Sequence, residues 1–232
     1  MKIKKTKFSG IFKLDNKLVT INLSPGEKVY GEELIKINST EYREWMPSHS
    51  KPAAAIKSGI RVFPLEKEMS LLYLGAASGT TVSAFSDIVG KEGIIYAVEI
   101  SEKPFHNLMK ISERRGNIIC ILNDARLPER YENVVIDKVD CVYEDIADPD
   151  QIKILIRNCE KFLKPKGYAI IAIKSQSIDS VKPPKEIYKE CLGELKNHFE
   201  ILDKVELDPF QKNHLFIIMK PKSIKDDFRV IV

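Results

Sequence analysis

The sequence lacks the features that mark secreted, membrane-spanning or low-complexity proteins. Its longest uninterrupted apolar run is about six residues, at 168–173, whereas a membrane-spanning helix needs roughly 18 or more. The N-terminal residues contain no apolar region of the kind found in secretory signals, so we expect neither secretion nor a membrane partner. With 11 glycines and 12 prolines, the chain is also too poor in both for a collagen-like or low-complexity protein.

Cysteine and histidine are scarce and widely spaced. No two of the four cysteines have the CxxC spacing of zinc ribbons or thioredoxin-like redox sites, and the four histidines are scattered, so no metal site is predicted. We expect three cysteines to be small core residues and Cys191 to lie near the surface. Reduced thiols are typical of intracellular compartments, which predicts a cytoplasmic location. The other cysteines are Cys120, Cys141 and Cys159.

Neither sign of charge dominates the composition. Lysine and arginine number 37 against 33 aspartates and glutamates, which gives a net charge of +4 at pH 7. A mildly basic chain permits a polyanionic partner without requiring one. Hydrophobic residues make up 44% of the 232 residues, enough to fill a sizeable core in one or two globular domains.

Residues 1–50 are predicted to form a small antiparallel β domain. Short alternating segments at 7–14 and 18–23 flank Asp15 and Asn16, a sequence typical of a β-hairpin turn. A further strand is expected to begin at 29–32. The edge strands of small antiparallel sheets often pair with a second copy of the chain, so a homodimer formed through this domain remains an alternative.

Residues 51–232 alternate between apolar strand-like runs and helix-like segments. We expect an α/β fold with a Rossmann-like, mostly parallel sheet and an antiparallel C-terminal edge. The tail at 221–232 has no predicted structure. Strands are expected at 70–74, 94–98, 118–122, 139–143, 168–173, 199–207 and 215–219, and helices at 51–58, 82–89, 104–115, 151–162 and 187–198.

Five successive strands end in a residue suited to ligand binding. These residues are Gly75, Glu99, Asp124, Asp145 and Lys174. Ligands of open α/β sheets bind at the carboxyl ends of the strands. An acidic residue at one strand end is equally well explained as a helix cap, but the full set of five favours a binding site.

The glycine-rich loop at 75–81 indicates a nucleoside rather than a dinucleotide. A GxGxxG pattern starting at Gly75 would need glycines where Ala77 and Thr80 stand, and no Walker A sequence is present. Glu99 lies 24 residues after Gly75, near the spacing expected of a ribose-binding acid. Asp124 can accept a hydrogen bond from an adenine amine. An adenosine site without a pyrophosphate site predicts S-adenosylmethionine as the cofactor.

The same segments resemble fibrillarin, the RNA 2′-O-methyltransferase family of box C/D ribonucleoproteins. The central match is YLGAASGTTVSAFSDIVGKEGIIYAV at 73–98. NDAR at 123–126, EDIADPDQ at 144–151 and DPF at 208–210 follow the family's motifs in order. Upstream of the central match, SHSKPAAAI at 48–56 matches as well. The similarity extends over about residues 28–220, and the compact N-terminus resembles the archaeal form.

The resemblance implies a class I methyltransferase fold and methyl transfer from S-adenosylmethionine to ribose 2′-hydroxyl groups of rRNA and tRNA. It also implies direction by a box C/D guide RNA, with the target RNA, a Nop-domain scaffold protein and a kink-turn-binding ribosomal-type protein as partners. The family's catalytic set falls on Lys51, Asp145, Lys174 and His214, with Lys57 as the alternative first lysine.

Cofactor contacts are expected at the strand ends and the glycine-rich loop. Two of them depart from the family: Ile100 replaces a phenylalanine and Asp148 replaces a glutamine, which makes one contact smaller and another acidic. Gln151 is equally well explained as a helix cap. The expected set is Gly75, Ala76, Thr80, Thr81, Glu99, Ile100, Asp124, Ala125, Asp145, Ile146, Ala147, Asp148 and Gln151.

Three other functions remain as alternatives at this point. The fold also suits a nucleotide-dependent oxidoreductase, a methyltransferase acting on protein side chains, or a non-catalytic binding module. Trp45, the single tryptophan, is expected in the core or at a domain interface rather than stacked on RNA.

Overall fold

Two β-sheets and the helices around them make up residues 2–222, the part of the chain that this computed structural model describes. The first sheet is antiparallel, has the strand order β1-β2-β3-β5-β4 and lies within the first 50 residues. Its strands are β1 (Ile3–Lys5), β2 (Ile11–Leu14), β3 (Lys17–Ile21), β4 (Leu34–Ile37) and β5 (Thr40–Glu44).

The predicted hairpin is confirmed, and the strand expected at 29–32 is wrong. Strands β2 and β3 pair antiparallel across the turn at Asp15 and Asn16. Residues 29–32 form a loop because the Glu32 carboxylate accepts hydrogen bonds from the backbone N–H groups of Val29 and Tyr30. These donors are then not available to a neighbouring strand, and β4 begins only at Leu34.

The second sheet has seven strands in the order β11-β12-β10-β9-β6-β7-β8. Five strands are parallel, while β12 runs antiparallel to β10 and β11 antiparallel to β12. The predicted Rossmann-like sheet with an antiparallel C-terminal edge is therefore confirmed. Its strands are β6 (Ser70–Leu74), β7 (Ile94–Glu99), β8 (Ile118–Leu122), β9 (Val139–Glu144), β10 (Leu163–Lys174), β11 (Phe199–Glu206) and β12 (His214–Pro221).

Helices cover both faces of this sheet, as the alternating apolar segments predict. The helices are α1 (Lys51–Lys57), α2 (Thr80–Val89), α3 (Glu102–Arg115), α4 (Gln151–Phe162), α5 (Ser175–Ile178) and α6 (Pro184–His198), with a 3₁₀ turn at Pro128–Arg130. One apolar cluster joins α1, α2 and α3 to one face of the sheet, and a second joins α4 and α6 to the other. The short helix α5 and the 3₁₀ turn were not expected, since one turn is too brief to give a periodic pattern.

The N-terminal sheet shares the larger sheet's core. Trp45, only 1% exposed, packs edge-to-face against Phe63 and Phe85, so its expected core position is confirmed. Ile11 and Leu18 of the small sheet belong to the same apolar cluster. The division of the chain into domains at residue 50 stays a prediction.

The expectation that Cys191 lies near the surface is wrong. Its side chain is buried in the apolar cluster beneath α6, whereas Cys120, expected in the core, is half-buried on the edge strand β8. Between residues 2 and 222, no helix is both long enough and apolar enough to cross a membrane. Most of the C-terminal tail that the sequence left unassigned lies outside the described residues.

Candidate functional site

The chain reverses its direction of strand addition at β6, which has β7 on one side and β9 on the other. The loops after β6 and β9 therefore leave adjacent strand ends in different directions, which opens a crevice between them. The two strand ends are joined by a hydrogen bond in which the Asp145 N–H donates to the Leu74 carbonyl at 3.0 Å. Gly75 has a φ of +81°, and a Cβ there would lie 2.9 Å from the Asp145 carbonyl oxygen. A side chain at this position would close the crevice.

A cavity of about 330 Å³ opens at this switch point. Its volume is within the range of small-molecule sites. The walls come from the loops after β6, β7, β8 and β9, as expected from the strand-end residues. The lining residues are Gly75, Ala77, Val98, Glu99, Ile100, Ser101, Asn123, Asp124, Ala125, Arg126, Asp145, Ile146, Ala147, Asp148 and Ile154.

The Glu99 carboxylate is held rigidly in the cavity wall. One oxygen accepts a hydrogen bond from the Ala77 N–H at 2.7 Å, and the other accepts one from the Ser101 N–H at 2.8 Å. Each oxygen retains acceptor capacity, because a carboxylate has about four lone-pair sites. The geometry fits two ribose hydroxyl groups, as the sequence predicts for an adenosine ligand.

Asp124 forms part of the next loop and pairs with a neighbouring cation. Both of its oxygens accept hydrogen bonds from the Arg126 guanidinium at 2.8–3.0 Å. This pairing holds the pKa of the Asp124 carboxyl below its usual value, so the group is an ionised acceptor at neutral pH. Arg126 also lies 3.9 Å from a carboxylate oxygen of Asp148. The carboxylate of Asp148, which stands where the family has a glutamine, therefore lies near the guanidinium group of Arg126.

Four expected cofactor contacts do not line this cavity. These are Ala76, Thr80, Thr81 and Gln151, and their contact with the cofactor stays a prediction. Gln151 is fully buried, and its amide pairs with the backbone of Lys174: the Oε1 atom accepts from the Lys174 N–H at 3.0 Å. The lining residues that sequence reasoning missed are Ala77, Val98, Ser101, Asn123, Arg126 and Ile154. Five of these six stand within two positions of a predicted residue, which is the signal that could have found them.

Two lysines converge on Asp145 at the edge of the cavity. The Nζ atom of Lys51, at the start of α1, lies 2.8 Å from one carboxylate oxygen and 2.9 Å from the other. The Nζ atom of Lys174, at the end of β10, lies 2.9 Å from Oδ1 of Asp145 and donates to its carbonyl at 2.8 Å. The structure thus brings together three of the four predicted catalytic residues.

Strand register brings His214 to the same place. Lys174 and His214 are directly opposite each other in the antiparallel ladder between β10 and β12. Directly opposed residues of such a ladder project to the same side of the sheet. His214 was expected just before the final strand, and it is the first residue of β12.

The imidazole of His214 has one free ring nitrogen. Its Nδ1 atom lies 2.6 Å from the Lys212 carbonyl oxygen. A carbonyl only accepts, so Nδ1 carries the hydrogen and Nε2 of the neutral ring is left as an acceptor. Burial lowers the pKa of His214 below 6.5, and the ammonium groups of Lys51 and Lys174 lower it further. The ring is therefore neutral at pH 7.

Lys57, the alternative first lysine, points away from this cluster. Its ammonium group donates to the Asn16 carbonyl in the small sheet. Lys51 is instead fixed beside Asp145 by the residue before it, because the Ser50 hydroxyl accepts hydrogen bonds from Trp45 Nε1 at 2.9 Å and from Thr81 Oγ1 at 3.0 Å. The helix that begins at Lys51 is thereby joined to the glycine-rich loop.

Known proteins resemble this chain over nearly its whole length. The fibrillarin family model matches residues 2–223, nearly the whole chain. The chain belongs to the fibrillarin family. A curated member, the fibrillarin-like rRNA/tRNA 2′-O-methyltransferase of Thermococcus onnurineus, is 48% identical over 227 residues, covering 95% of this chain and 100% of that protein.

Solved fibrillarin structures superpose closely on this one. The fibrillarin of Aeropyrum pernix, solved in complex with natively bound S-adenosyl-L-methionine, has a TM-score of 0.87 and 40% identity, covering 94% of this chain and 98% of that chain. The fibrillarin of a fibrillarin/Nop5p complex has a TM-score of 0.87 and 44% identity, covering 94% and 100% of the two chains. The fold and the family predicted from the sequence are confirmed.

Proposed function

We propose that this chain transfers the methyl group of S-adenosylmethionine to ribose 2′-hydroxyl groups of rRNA and tRNA. The observation that supports this most directly is the convergence of Lys51, Asp145, Lys174 and His214 beside a cavity suited to adenosine. The activity is the one named for the Thermococcus onnurineus relative, which aligns over its full length. The bound S-adenosylmethionine of the Aeropyrum pernix fibrillarin supports the same cofactor here.

In this proposal the cavity residues hold the cofactor by its polar groups. Bound S-adenosylmethionine supplies an activated methyl group on a sulfonium centre. The Glu99 carboxylate accepts from the ribose hydroxyls, and Asp124 accepts from the adenine amine. Gly75 leaves the backbone open where a Cβ would contact the Asp145 carbonyl. Ile100, which is 57% exposed, gives the adenosine an apolar contact.

The four remaining residues act on the acceptor hydroxyl. A 2′-hydroxyl is a poor nucleophile and must lose its proton during attack. His214 accepts this proton on Nε2, because its Nδ1–H is already donated to the Lys212 carbonyl. Asp145 orients the ammonium groups of Lys51 and Lys174, and these stabilise the negative charge that develops on the ribose oxygen.

Two lysines on α1 provide a matched test of this mechanism. Lys51→Ala should reduce methyl transfer by about 100-fold or more, because it removes charge next to the reacting oxygen. Lys57→Ala removes an ammonium group from the same helix without touching Asp145 and should keep wild-type activity. The assay is mass spectrometric mapping of 2′-O-methyl groups, with cofactor affinity measured by calorimetry. Equal activity of the two variants would contradict the mechanism.

Ligand titration and the identity of the methylated product together separate this function from the three alternatives. A nucleotide-dependent oxidoreductase would bind NAD in preference to S-adenosylmethionine in a calorimetric titration. A methyltransferase for proteins would label protein side chains and leave RNA unmodified. A non-catalytic binding module would bind S-adenosylmethionine and form no methylated product with either acceptor.

Target choice is proposed to come from partners. The solved fibrillarin/Nop5p complex supports a Nop-domain scaffold as one of them, and we add a box C/D guide RNA and a kink-turn-binding protein. The net charge of only +4 agrees with RNA affinity that is supplied in part by other chains. We expect the isolated chain to bind cofactor but to methylate RNA poorly, in an intracellular location. Site-specific methylation by the purified chain without guide RNA would contradict this.

Self-association through the N-terminal sheet is a separate proposal. The strands β1 and β4 are its two edges, and unpaired edges are available for pairing with a second copy. Light scattering of the purified chain tests this: a monomer at all concentrations would exclude the homodimer.

A further inference from the structure

Helix α4 carries two completely buried amide side chains behind the cofactor cavity. Gln151 is its first residue and Asn158 lies seven positions further along, and both are 0% exposed. Residues seven positions apart lie on the same face of a helix. Ile154, between them, lines the cavity, so this face of α4 is turned toward it. An amide buried without hydrogen-bond partners would be costly, and the partners show what each amide holds in place.

Gln151 takes the place of a strand partner for Lys174. The parallel ladder between β9 and β10 ends at the pair of Glu144 and Ile171, because the chain after Glu144 turns into the cavity wall. Further along β10, the Lys174 N–H donates to Oε1 of Gln151 at 3.0 Å, and the Lys174 carbonyl accepts from Nε2 at 3.4 Å. A side-chain amide offers the same donor and acceptor as a peptide group. Gln151 therefore fixes the backbone of Lys174 where β9 is absent.

The same amide holds the loop that carries Asp145. Its Nε2 atom also donates to the Asp148 carbonyl at 2.9 Å, and Asp148 belongs to the loop after β9. That loop and the end of β10 are thus joined through one buried side chain. The Nζ atom of Lys174 lies 2.9 Å from a carboxylate oxygen of Asp145. A lysine side chain is flexible, so this contact depends on where the two backbones are held.

Asn158 holds a different part of the cavity wall. Its Nδ2 atom donates to the Ala125 carbonyl at 2.8 Å and to the Ile154 carbonyl at 2.9 Å, and its Oδ1 atom accepts from the Tyr131 hydroxyl. Tyr131 is itself only 1% exposed. Ala125 lines the cavity and directly follows Asp124, the acid proposed to accept from the adenine amine. Asn158 therefore fixes the loop at the adenine end of the cavity.

We propose that Gln151 and Asn158 are positioning residues with separate tasks. Gln151 holds Lys174 and Asp145 in register for methyl transfer, and Asn158 holds the loop that binds the adenine of the cofactor. Each acts through the backbone of other residues and takes no part in the transfer of the proton or the methyl group. This inference rests on the proposed ribose methylation and adds the residues that set its rate and its cofactor affinity.

The two amides should affect different kinetic quantities in the enzyme assembled with guide RNA and protein partners. Gln151→Met should lower kcat by about tenfold or more, because a small misplacement of a reacting group is enough for such a loss, and should change the Kd for S-adenosylmethionine by less than about threefold. Asn158→Leu should raise that Kd by about tenfold and leave kcat at saturating cofactor within about twofold, because a binding loop loses its fixed geometry. Mapping of 2′-O-methyl groups gives kcat, and calorimetry gives Kd.

Each variant is the matched control of the other, because both remove a completely buried amide from the same helix. Asn197→Leu, at an exposed amide on α6, should change neither quantity. Gln151→Asn, with a shorter side chain, and Tyr131→Phe, which lacks only the hydroxyl, should shift kcat and Kd respectively in the same directions by smaller factors. These milder variants give the answer if either larger substitution prevents folding. The same changes in kcat and Kd for both amides would overturn the proposal.

A double-variant experiment shows whether Gln151 acts through Lys174. In a Lys174→Ala background, Gln151→Met should lower kcat by a much smaller factor than in the wild type, because the group that it positions is already gone. Asn158→Leu should raise Kd by the same factor in both backgrounds. An undiminished effect of Gln151→Met on kcat in Lys174→Ala would contradict the positioning role. Wild-type enzyme that methylates no ribose would instead refute the proposed function, while the calorimetric result for Asn158→Leu would still decide its role in cofactor binding.

Discussion

In the proposed mechanism, the protonation state of His214 decides whether the acceptor hydroxyl can be activated. Burial and the ammonium groups of Lys51 and Lys174 lower its pKa below 6.5, and only the Lys212 carbonyl and Asp145 act in the other direction. Because the lowered pKa keeps the ring neutral at lower pH, the base stays available throughout the neutral range.

The methyl-transfer rate of the assembled enzyme should therefore fall with a midpoint below pH 6.5, the ordinary pKa of an imidazole. A pH–rate profile under saturating cofactor measures this. His198→Gln, which alters an exposed histidine at the end of α6, should leave the profile unchanged. An inflection above pH 7 that disappears in His214→Asn would contradict the assignment.

Glu144, the residue before Asp145, is a buried acid outside the proposed mechanism. Its side chain is fully buried, and neither carboxyl oxygen has a hydrogen-bond partner among the described residues. Burial raises its pKa well above 4.5, and the negative charge of Asp145 raises it further. The folded state thus binds a proton that the unfolded chain releases near its ordinary pKa.

Stability should consequently fall as the pH rises above about 4.5 toward the raised pKa, by up to about 1.4 kcal/mol per pH unit from this group. Glu144→Gln cannot lose a proton, so its unfolding free energy relative to that of the wild type should increase as the pH rises above about 5 toward the raised pKa of Glu144. Urea denaturation at several pH values measures the difference. Glu200→Gln, a substitution at an exposed glutamate, is the control, and its unfolding free energy should vary with pH as that of the wild type does. A difference in unfolding free energy between Glu144→Gln and wild type that is the same at every pH would contradict the argument.

At the scale of secondary-structure elements, a buried polar cluster joins α2 to the small sheet. The Asp87 side chain is completely buried and accepts hydrogen bonds from the guanidinium groups of Arg43 and Arg115 at 2.5–3.0 Å. Glu32 also pairs with Arg43, at 2.7 Å. Two carboxylates thus balance two guanidinium groups inside the protein.

Asp87→Asn should destabilise the chain by about 3–5 kcal/mol, because it leaves a buried positive charge without its partner. Equilibrium unfolding in urea measures the loss. Asp137→Asn removes a carboxylate from an exposed position and should change the unfolding free energy by less than about 0.5 kcal/mol. Similar unfolding free energies for the two variants would show that the buried cluster is energetically neutral.

Element boundaries near the site were predictable where an apolar run meets a polar residue. Glu99 and Lys174 end strands in the structure as the sequence indicates. Side-chain contacts were not predictable from hydrophobic patterning. Lys51 reaches Asp145 across 94 positions, and the pairing of Arg126 with Asp124, although local, depends on the path of a loop. The family resemblance supplied the first of these contacts and not the second.

On the scale of the whole molecule, the small and large sheets are joined by apolar packing as well as by ions. Trp45 follows the last strand of the small sheet and packs against Phe85 of α2, while its indole N–H donates to Ser50 just before Lys51. The segment predicted as a separate domain thus supplies both core volume and support for Lys51, the lysine proposed to act in catalysis. Sequence patterning identified the hairpin of β2 and β3 in this segment but missed β1, β4 and β5. It also could not show that the apolar face of the small sheet is shared with the large one.

The single tryptophan makes this coupling measurable. Trp45 is 1% exposed at the junction, so its fluorescence reports the junction alone, whereas far-UV circular dichroism reports the secondary structure of both sheets. We expect the two urea unfolding curves to coincide, because the shared core and the Asp87 cluster make independent opening of the small sheet costly. In Asp87→Asn the fluorescence transition should move to lower urea before the circular dichroism transition does, since the ionic part of the junction is lost. Separate transitions in the wild type would instead mean that residues 1–50 unfold as a domain of their own.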